Sequence, residues 1–362
     1  MRIIYFSAIP YNGLRQRPQY IADGLAKEHD VVYVNPTVSL LKYLSVGGLK
    51  PWGEEYKTDS GVSVYQLNGT FLLPRFLEGV WSGFGCIERL MVKKLIKTAD
   101  AVWIGYEPWL DLIGDKFSGK VVYDQMDDNV ELTNNPLMKR LISRTRSKLL
   151  ERSDILFVTA QRFYMTALEQ GLNPVLIPNG VQLEETQEKI CQTQKSKSDI
   201  RTFGYIGVVA RWFDTNAIMK ILEASPKNRV VIVGPEEIDR INDPRVCYVG
   251  EVPKRDVNEW IASFDVCLYP FRRSSLLDTI NPVKIYEYLA QNKPVIAVRS
   301  IETDKFGEKL YTYDDLDELS YLASDELSAP FKNEQECMRF VEENSWEKRT
   351  EVILEKLHAF QK

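Results

Sequence analysis

Short apolar runs rich in β-branched residues alternate with amphipathic stretches along the whole chain. Ile3–Phe6, Val31–Val34, Val62–Leu67, Ala101–Ile104, Val121–Tyr123, Ile155–Val158 and Val175–Ile177 have the length and composition of buried strands, since a strand covered on both faces reads as an unbroken apolar run. Between several of them, residues 17–28, 84–97, 137–151 and 161–170 repeat apolar positions at helical spacing. Such alternation predicts βαβ units and a parallel sheet covered by helices. From Val181 to Arg201 the periodicity stops in a Gln/Glu/Lys/Ser-rich stretch, which reads as a linker. A second series follows, with strands at Thr202–Ile206, Val230–Val233, Val246–Val249, Val266–Tyr269 and Pro294–Val298 and helices near 214–224, 254–263 and 282–291. The chain is therefore read as α/β, with Rossmann-like domains over 1–180 and 202–345 joined by 181–201. Open parallel sheets bind ligands at the carboxyl ends of their strands, so functional loops are expected there, facing a cleft between the domains.

Composition narrows the class. At 362 residues, with 44% hydrophobic and 27% charged residues, the chain suits two domains of about 150–180 residues each. It contains no apolar run of roughly 18 residues, the length a membrane-spanning helix needs. Met1–Ser7 reads as a first strand, being too short in its apolar part for a secretory signal. The five cysteines are dispersed, odd in number and without Cys-x-x-Cys spacing. They read as reduced thiols of a cytoplasmic protein, with neither a disulfide framework nor a zinc site. A net charge of −5 argues against nucleic-acid partners. The charge is uneven: residues 137–152 carry Lys139, Arg140, Arg144, Arg146, Lys148 and Arg152 against Glu151 alone, and residues 302–326 are acidic. The plain reading of each is a solvated helix face.

The most informative stretch is Asn281-Pro-Val-Lys-Ile-Tyr-Glu-Tyr-Leu-Ala290. Asn281 has the chemistry of an N-cap and Pro282 that of a first helical residue, whose missing N–H costs nothing there. Asn292 falls where a left-handed residue ends a helix, and Pro294 opens the next strand. A helix N-terminus at the carboxyl end of strand 266–269 attracts anions through its free amides and dipole. Lys284 adds a positive charge suited to a diphosphate. Glu287, one turn deeper on the same face, can accept hydrogen bonds from a ribose diol. Against this stands the plain alternative of an amphipathic helix with a surface Lys–Glu pair.

This segment resembles the donor-binding signature of GT-B fold glycosyltransferases, above all glycosyltransferase family 4 and its relatives of teichuronic-acid and xanthan type in bacterial polysaccharide synthesis. Ile177-Pro-Asn-Gly180 resembles the strand end that closes the first domain. Phe203-Gly-Tyr-Ile-Gly207 and Arg211-Trp-Phe-Asp214 resemble the first strand and loop of the donor domain, Val249-Gly-Glu-Val-Pro253 the loop holding the base, and Asp265–Pro270 the strand before the donor helix. Ser345-Trp346 opens a last helix, 346–362, that in this fold crosses back to the N-terminal domain. The resemblance implies a GT-B architecture of two Rossmann-like domains facing a cleft. It also implies a nucleoside diphosphate-sugar donor, a UDP-sugar by family habit, and a glycan or lipid-linked acceptor, with no metal or other cofactor. It places donor contacts at Gly207, Arg211, Val252, Asp278, Asn281, Pro282, Val283, Lys284 and Glu287. One departure stands out: family 4 pairs two glutamates with seven residues between them, the second being Glu287 here, and the position of the first is Thr279, beside Asp278.

In the first half, the loop Ala8–Gln19 offers Gly13 for a tight turn and Arg15 and Arg17, which by resemblance lie opposite the donor diphosphate and could stabilise leaving-group charge. Tyr123-Asp-Gln-Met-Asp-Asp128 gathers three carboxylates at a strand end, a costly arrangement unless they are solvated, paired or used. Close carboxylates raise one another's pKa, which suits a general base. The resemblance to inverting, xanthan-type enzymes puts that base in this half; Asp127 is the first choice, then Asp124 and Asp128, and a helix cap is the alternative. The two histidines, His29 and His358, are poorly placed for the role that retaining relatives give a histidine. Asp315-Leu-Asp317 reads as an acidic helix start and not as a metal site, and Gly83-Phe-Gly85 lacks the context of a dinucleotide motif. Residues 71–97 mix aromatics with Arg89, Lys93, Lys94 and Lys97 and, with helix 137–152, suggest peripheral contact with an anionic inner leaflet. A sugar-nucleotide epimerase and a non-catalytic nucleotide-sugar-binding subunit stay open beside the transferase.

Overall fold

The computed structural model describes residues 1–38, 55–68, 86–183, 200–324 and 334–359. The chain divides into two compact units, Met1–Pro178 with Thr350–Lys362, and Asn179–Arg349. Most of the expected linker (184–199), Gly83-Phe-Gly85 and the aromatic start of the 71–97 region lie outside the described residues.

In the first unit the strands are β1 (Arg2–Phe6), β2 (Asp30–Val38), β3 (Glu55–Lys57), β4 (Ser63–Asn68), β5 (Ala101–Ile104), β6 (Lys120–Gln125), β7 (Ile155–Val158) and β8 (Pro174–Leu176). They form one sheet in the order β3-β4-β2-β1-β5-β6-β7-β8. All pairs are parallel except β3–β4. The apolar runs become the central strands because helices cover both faces: Ile3, Ile4, Tyr5 and Phe6 of β1 and all of β5 are buried. β3 escapes sequence reading because it is three residues long and polar, as an edge strand tends to be. The strand order reverses between β1 and β5, so the loops after these strands and after neighbouring β6 open at the switch point.

Two helices seal the other end of this unit. Gly24, on the helix Arg17–Leu25, has no side chain where a Cβ would lie 2.3 Å from Cγ2 of Thr350. The residues from Thr350 onward in the helix Trp346–Ala359 can therefore pack directly on it. His358 Nε2 lies 3.0 Å from the Glu28 carboxylate at the same end.

The second unit holds β9 (Arg201–Ile206), β10 (Asn228–Val233), β11 (Val246–Gly250), β12 (Val266–Tyr269), β13 (Val295–Val298) and β14 (Tyr311–Tyr313). Their order is β11-β10-β9-β12-β13-β14, with every pair parallel. Its core is packed from Phe203, Ile218, Ile232, Leu268, Ile285 and Ile296, among others. The switch point falls between β9 and β12. β14 is the second strand not foreseen, again a short edge strand, here beside an acidic helix start.

Candidate functional site

In the second unit, the chain leaves β12, makes a 3-10 turn at Leu277–Thr279 and enters the helix Val283–Ala290. The helix begins one residue later than expected, with Pro282 at the cap. Asn281 is therefore not the N-cap, a correction with a clear cause. Its amide, 3% exposed, is committed elsewhere: Oδ1 accepts from the Asn179 N–H (2.8 Å) and Nδ2 donates to Glu302 (2.8 Å). The far end follows expectation. Asn292 has φ 54° and is the one non-glycine residue with positive φ among the described residues. The Lys293 N–H bonds the Tyr288 carbonyl and the Asn292 N–H that of Leu289, a Schellman closure.

Glu287 is the centre of this site. Its carboxylate accepts from Lys284 Nζ (2.9 Å), three residues back on the helix, and from Lys254 Nζ (2.7 Å), at the start of the turn Lys254–Asp256 that follows the β11 loop. Burial pushes the carboxyl up, but the two ammonium groups outweigh it and hold its pKa at about 2. Lys254 was not foreseen. Its position directly after Val249–Pro253 was the available signal, yet only the fold brings that loop beside the helix.

The remaining donor candidates line the carboxyl ends of the same strands. Gly207 (φ 153°) follows β9 and Gly234 (φ 138°) follows β10. A Cβ on Gly234 would lie 2.1 Å from the Gly207 carbonyl oxygen, so these two strand ends touch backbone to backbone. Arg211 is exposed in the β9 loop, Val252 half-buried in the β11 loop and Asp278 half-buried in the 3-10 turn. Thr279, at the position of the family's first glutamate, is buried, and its hydroxyl donates to the Leu276 carbonyl (2.7 Å).

In the first unit, Gly13 closes a turn, its N–H bonding the Pro10 carbonyl at 3.0 Å. Arg15 pairs with Asp23 and lies 4.7 Å over the Tyr20 ring. Arg17 is not presented by the loop as expected. It is 4% exposed, grips Asp124 through Nε and Nη2 (2.8–3.2 Å) and donates Nη1 to the carbonyls of Ile177 and Pro178. The buried carboxylate of Asp124, fully enclosed on β6, draws the guanidinium inward, since each would be costly alone. Arg17 and Asp124 thus spend their charges on each other, where the sequence had suggested a leaving-group contact and a candidate base.

Asp128 caps the helix Asn129–Leu132 through the N–H groups of Val130 and Glu131 and accepts from Arg146 Nη1 (3.0 Å). Arg146 also donates Nε to Glu107 (3.1 Å), a carboxylate 1% exposed that accepts from Tyr123 Oη and Asn129 Nδ2 as well. Sequence reading missed Glu107, a single acid in a loop with no motif around it. Asp127 is different. It is exposed, and among the described residues no side chain donates to or pairs with its carboxylate. The protein crowded around it raises its pKa to about 6, Arg17 pulls it down, and Glu107, Asp124 and Asp128 push it up. Of the three acids in this segment, Asp127 is the exposed one.

Half of the basic residues of the helix Pro136–Arg152 serve the fold: Arg144 pairs with Asp111, Arg146 with Glu107 and Asp128, and Arg152 donates to the carbonyls of Gly114 and Phe117. Asp315 caps the helix Leu316–Ala323, and Asp317 pairs with Lys220, so Asp315-Leu-Asp317 is a helix start. His29 and His358 lie at the amino ends of the strands, away from Asp127. Among the described residues, no helix is long and apolar enough to cross a membrane.

Residues 201–319 match the model of a family described as Glycosyl transferases group 1. The chain is 22% identical over 190 residues to the putative teichuronic acid biosynthesis glycosyltransferase TuaH of Bacillus subtilis (strain 168). That match spans 49% of this chain and 48% of the relative, about half the length of each. Among solved structures, it is similar to an E. coli trehalose-6-phosphate structure bound with UDP-2-fluoro glucose, with a TM-score of 0.72 and 13% identity over 99% of both chains. It is also similar to Anabaena HepE in complex with UDP and glucose, with a TM-score of 0.69 and 12% identity over 99% of this chain and 100% of that one. At these identities the likeness establishes the fold, which is GT-B.

Proposed function

We propose that this chain, a GT-B-fold glycosyltransferase with a group 1 domain over residues 201–319, moves a sugar from a UDP-sugar to a glycan or lipid-linked acceptor in bacterial cell-surface polysaccharide synthesis. The observation that carries the reading is Glu287, kept ionised by Lys254 and Lys284 one turn into the helix that follows β12, the strand beside the switch point. A permanently charged carboxylate is a strong acceptor for a ribose diol. The helix N-terminus and Lys284 supply positive potential for the diphosphate. The glycine-lined ends of β9 and β10, with Arg211, Val252 and Asp278, frame the rest of the donor. No metal or cofactor is assigned a role.

In the transfer, the acceptor oxygen forms a bond to the anomeric carbon as the bond from that carbon to the diphosphate oxygen breaks. The hydroxyl proton passes to Asp127, whose raised pKa lets it accept the proton near neutral pH. A single displacement of this kind inverts the anomeric configuration. Thr279, with its hydroxyl tied to the backbone, leaves no acid at the first glutamate position of the retaining relatives. A lipid-linked acceptor is supported by the helix Cys86–Ile96, which exposes Leu90 beside Lys93 and Lys94, a surface suited to an anionic leaflet on the cytoplasmic side.

Titration with a panel of nucleotide sugars tests the donor site. UDP-sugars are expected to bind, and Glu287→Ala or Lys284→Ala to weaken them by roughly tenfold to a hundredfold, the value of a charge-assisted hydrogen bond. Unchanged affinity in both variants would overturn the assignment. NMR of the product then reads the anomer, and recovery of a free epimerised sugar nucleotide would replace transfer with epimerisation.

A further inference from the structure

The carboxylates near Asp127 fall into two classes. Asp124, three residues before it, is fully buried and held by Arg17. Glu107 and Asp128 share Arg146, which donates to one through Nε and to the other through Nη1. Neither arginine is free to turn elsewhere. Arg17 is anchored by the carbonyls of Ile177 and Pro178, and Arg146 is fixed between two acids on different segments. Asp127 stands between these two clamped points, within electrostatic reach of Arg17, Glu107, Asp124 and Asp128, yet without a cation of its own among the described residues.

We infer that Arg17 and Arg146 are positioning residues for Asp127. By taking up Asp124, Glu107 and Asp128, they leave Asp127 as the one uncommitted carboxylate of the cluster and fix the backbone on both sides of it. The inference rests on the reading of Asp127 as the base. Three further negative charges without cations would keep a proton on Asp127 at neutral pH and stop it from accepting one. A cation bound directly to Asp127 would do the opposite and make it too weak a base. Pairing the neighbours and not Asp127 avoids both extremes. The geometric part is equally specific. Asp124 is fixed on β6, while Asp128 caps the next helix and Asn129 donates to Glu107, so the segment carrying Asp127 is tied at each end.

The titration of Asp127 tests this directly, read by NMR on protein labelled with 13C at the aspartate carboxyls and assigned by the signal lost in Asp127→Asn. Arg146→Met strands Glu107 and Asp128 and is expected to raise the midpoint by about one pH unit. Asp128→Asn keeps the helix cap, since asparagine caps as well as aspartate, but removes a negative neighbour and is expected to lower the midpoint. Arg146→Lys should restore most of the parent value. The acid limb of UDP release from UDP-glucose should move with each midpoint, whereas a purely structural role would change the melting temperature and leave the midpoint in place. Midpoints that stay put, or move in the same direction in Arg146→Met and Asp128→Asn, overturn the proposal. If Arg146→Met does not fold, the direction of the Asp128→Asn shift decides alone. Midpoints that move as expected while Asp127→Asn still releases UDP at the parent rate would retain the positioning role and reject Asp127 as the base.

Discussion

Glu287 and Asp127 are both carboxylates set in loops or helices at the carboxyl ends of a parallel sheet, and their surroundings drive them in opposite directions. Glu287 is largely enclosed and touched by two lysines, which hold it at about 2. Asp127 is open to solvent, has no cation partner among the described residues, and is raised to about 6 by crowding and by three acidic neighbours. Burial pushes both carboxyls up, since it penalises charge. At Glu287 two ammonium groups in contact outweigh burial, whereas at Asp127 burial is the largest cause and Arg17, which is paired with Asp124, does not offset it. A carboxylate bracketed by ammonium groups stays charged and serves as a fixed hydrogen-bond acceptor, whereas one crowded by protein with no cation in contact can exchange a proton near neutrality. Opposed environments for two acids are a recurrent way of dividing binding from proton transfer.

The sharpest test of that division is Asp127→Asn. It removes a base without altering shape, so turnover is expected to fall by about 10²–10⁴-fold, while calorimetric affinity for UDP stays within twofold of the parent, roughly 0.4 kcal/mol. A matching loss of affinity would make Asp127 part of the binding site and erase the contrast with Glu287.

Much of the local geometry was legible in the chain. Asp127 stood first among the three acids, and Lys284 and Glu287 were paired by helical spacing, because local patterns report what lies within a turn or two. The parallel sheets were legible for the same reason, since buried strands announce themselves as apolar runs. Long-range partners were not. Lys254 reaches Glu287 across 33 residues, Arg17 reaches Asp124 across 107, and Asn281 reaches Asn179 across 102. Each partner revised a local reading: Arg17 from a loop cation to a buried clamp, and Asn281 from a cap to a bridge. The strands β3 and β14 were missed because three-residue edge strands need no apolar run.

The pH dependence separates the two sites next. Turnover should fall about tenfold for each pH unit below 6 as Asp127 takes up its proton. The contribution of Glu287 to UDP affinity should stay flat from pH 8 to about 5, because Glu287 remains ionised until far below its ordinary value of 4.5. UDP has its own phosphate ionisation near pH 6 (a second pKa of about 6 is typical of such groups), so the affinity comparison is made against Glu287→Gln, in which only the ligand titrates. The two groups also act oppositely on stability. Glu287, lowered, contributes stability that is present above 4.5 and lost as pH falls towards 2. Asp127, raised from 3.8, favours the folded state below that value and loses this contribution as pH rises through about 6. An acid limb that survives in Asp127→Asn would assign the titration to another group.

The smallest expected effect is the most specific to the geometry. Lys254→Met removes the closer of the two ammonium groups at Glu287, 2.7 Å against 2.9 Å, and leaves Lys284 in place. One cation still holds the carboxylate charged at neutral pH, so UDP affinity should fall only about fivefold, near 1 kcal/mol. The pH at which affinity collapses should meanwhile climb from about 2 towards the ordinary glutamate range. Asp127 belongs to a separate charge cluster, so the midpoint of its titration should not move. If Lys254→Met instead weakened UDP as much as Glu287→Ala, Lys254 would be a ligand contact in its own right. Glu287 would then owe its low pKa to a lysine whose main role is to meet the donor, and the acceptor and the cation would form one recognition unit.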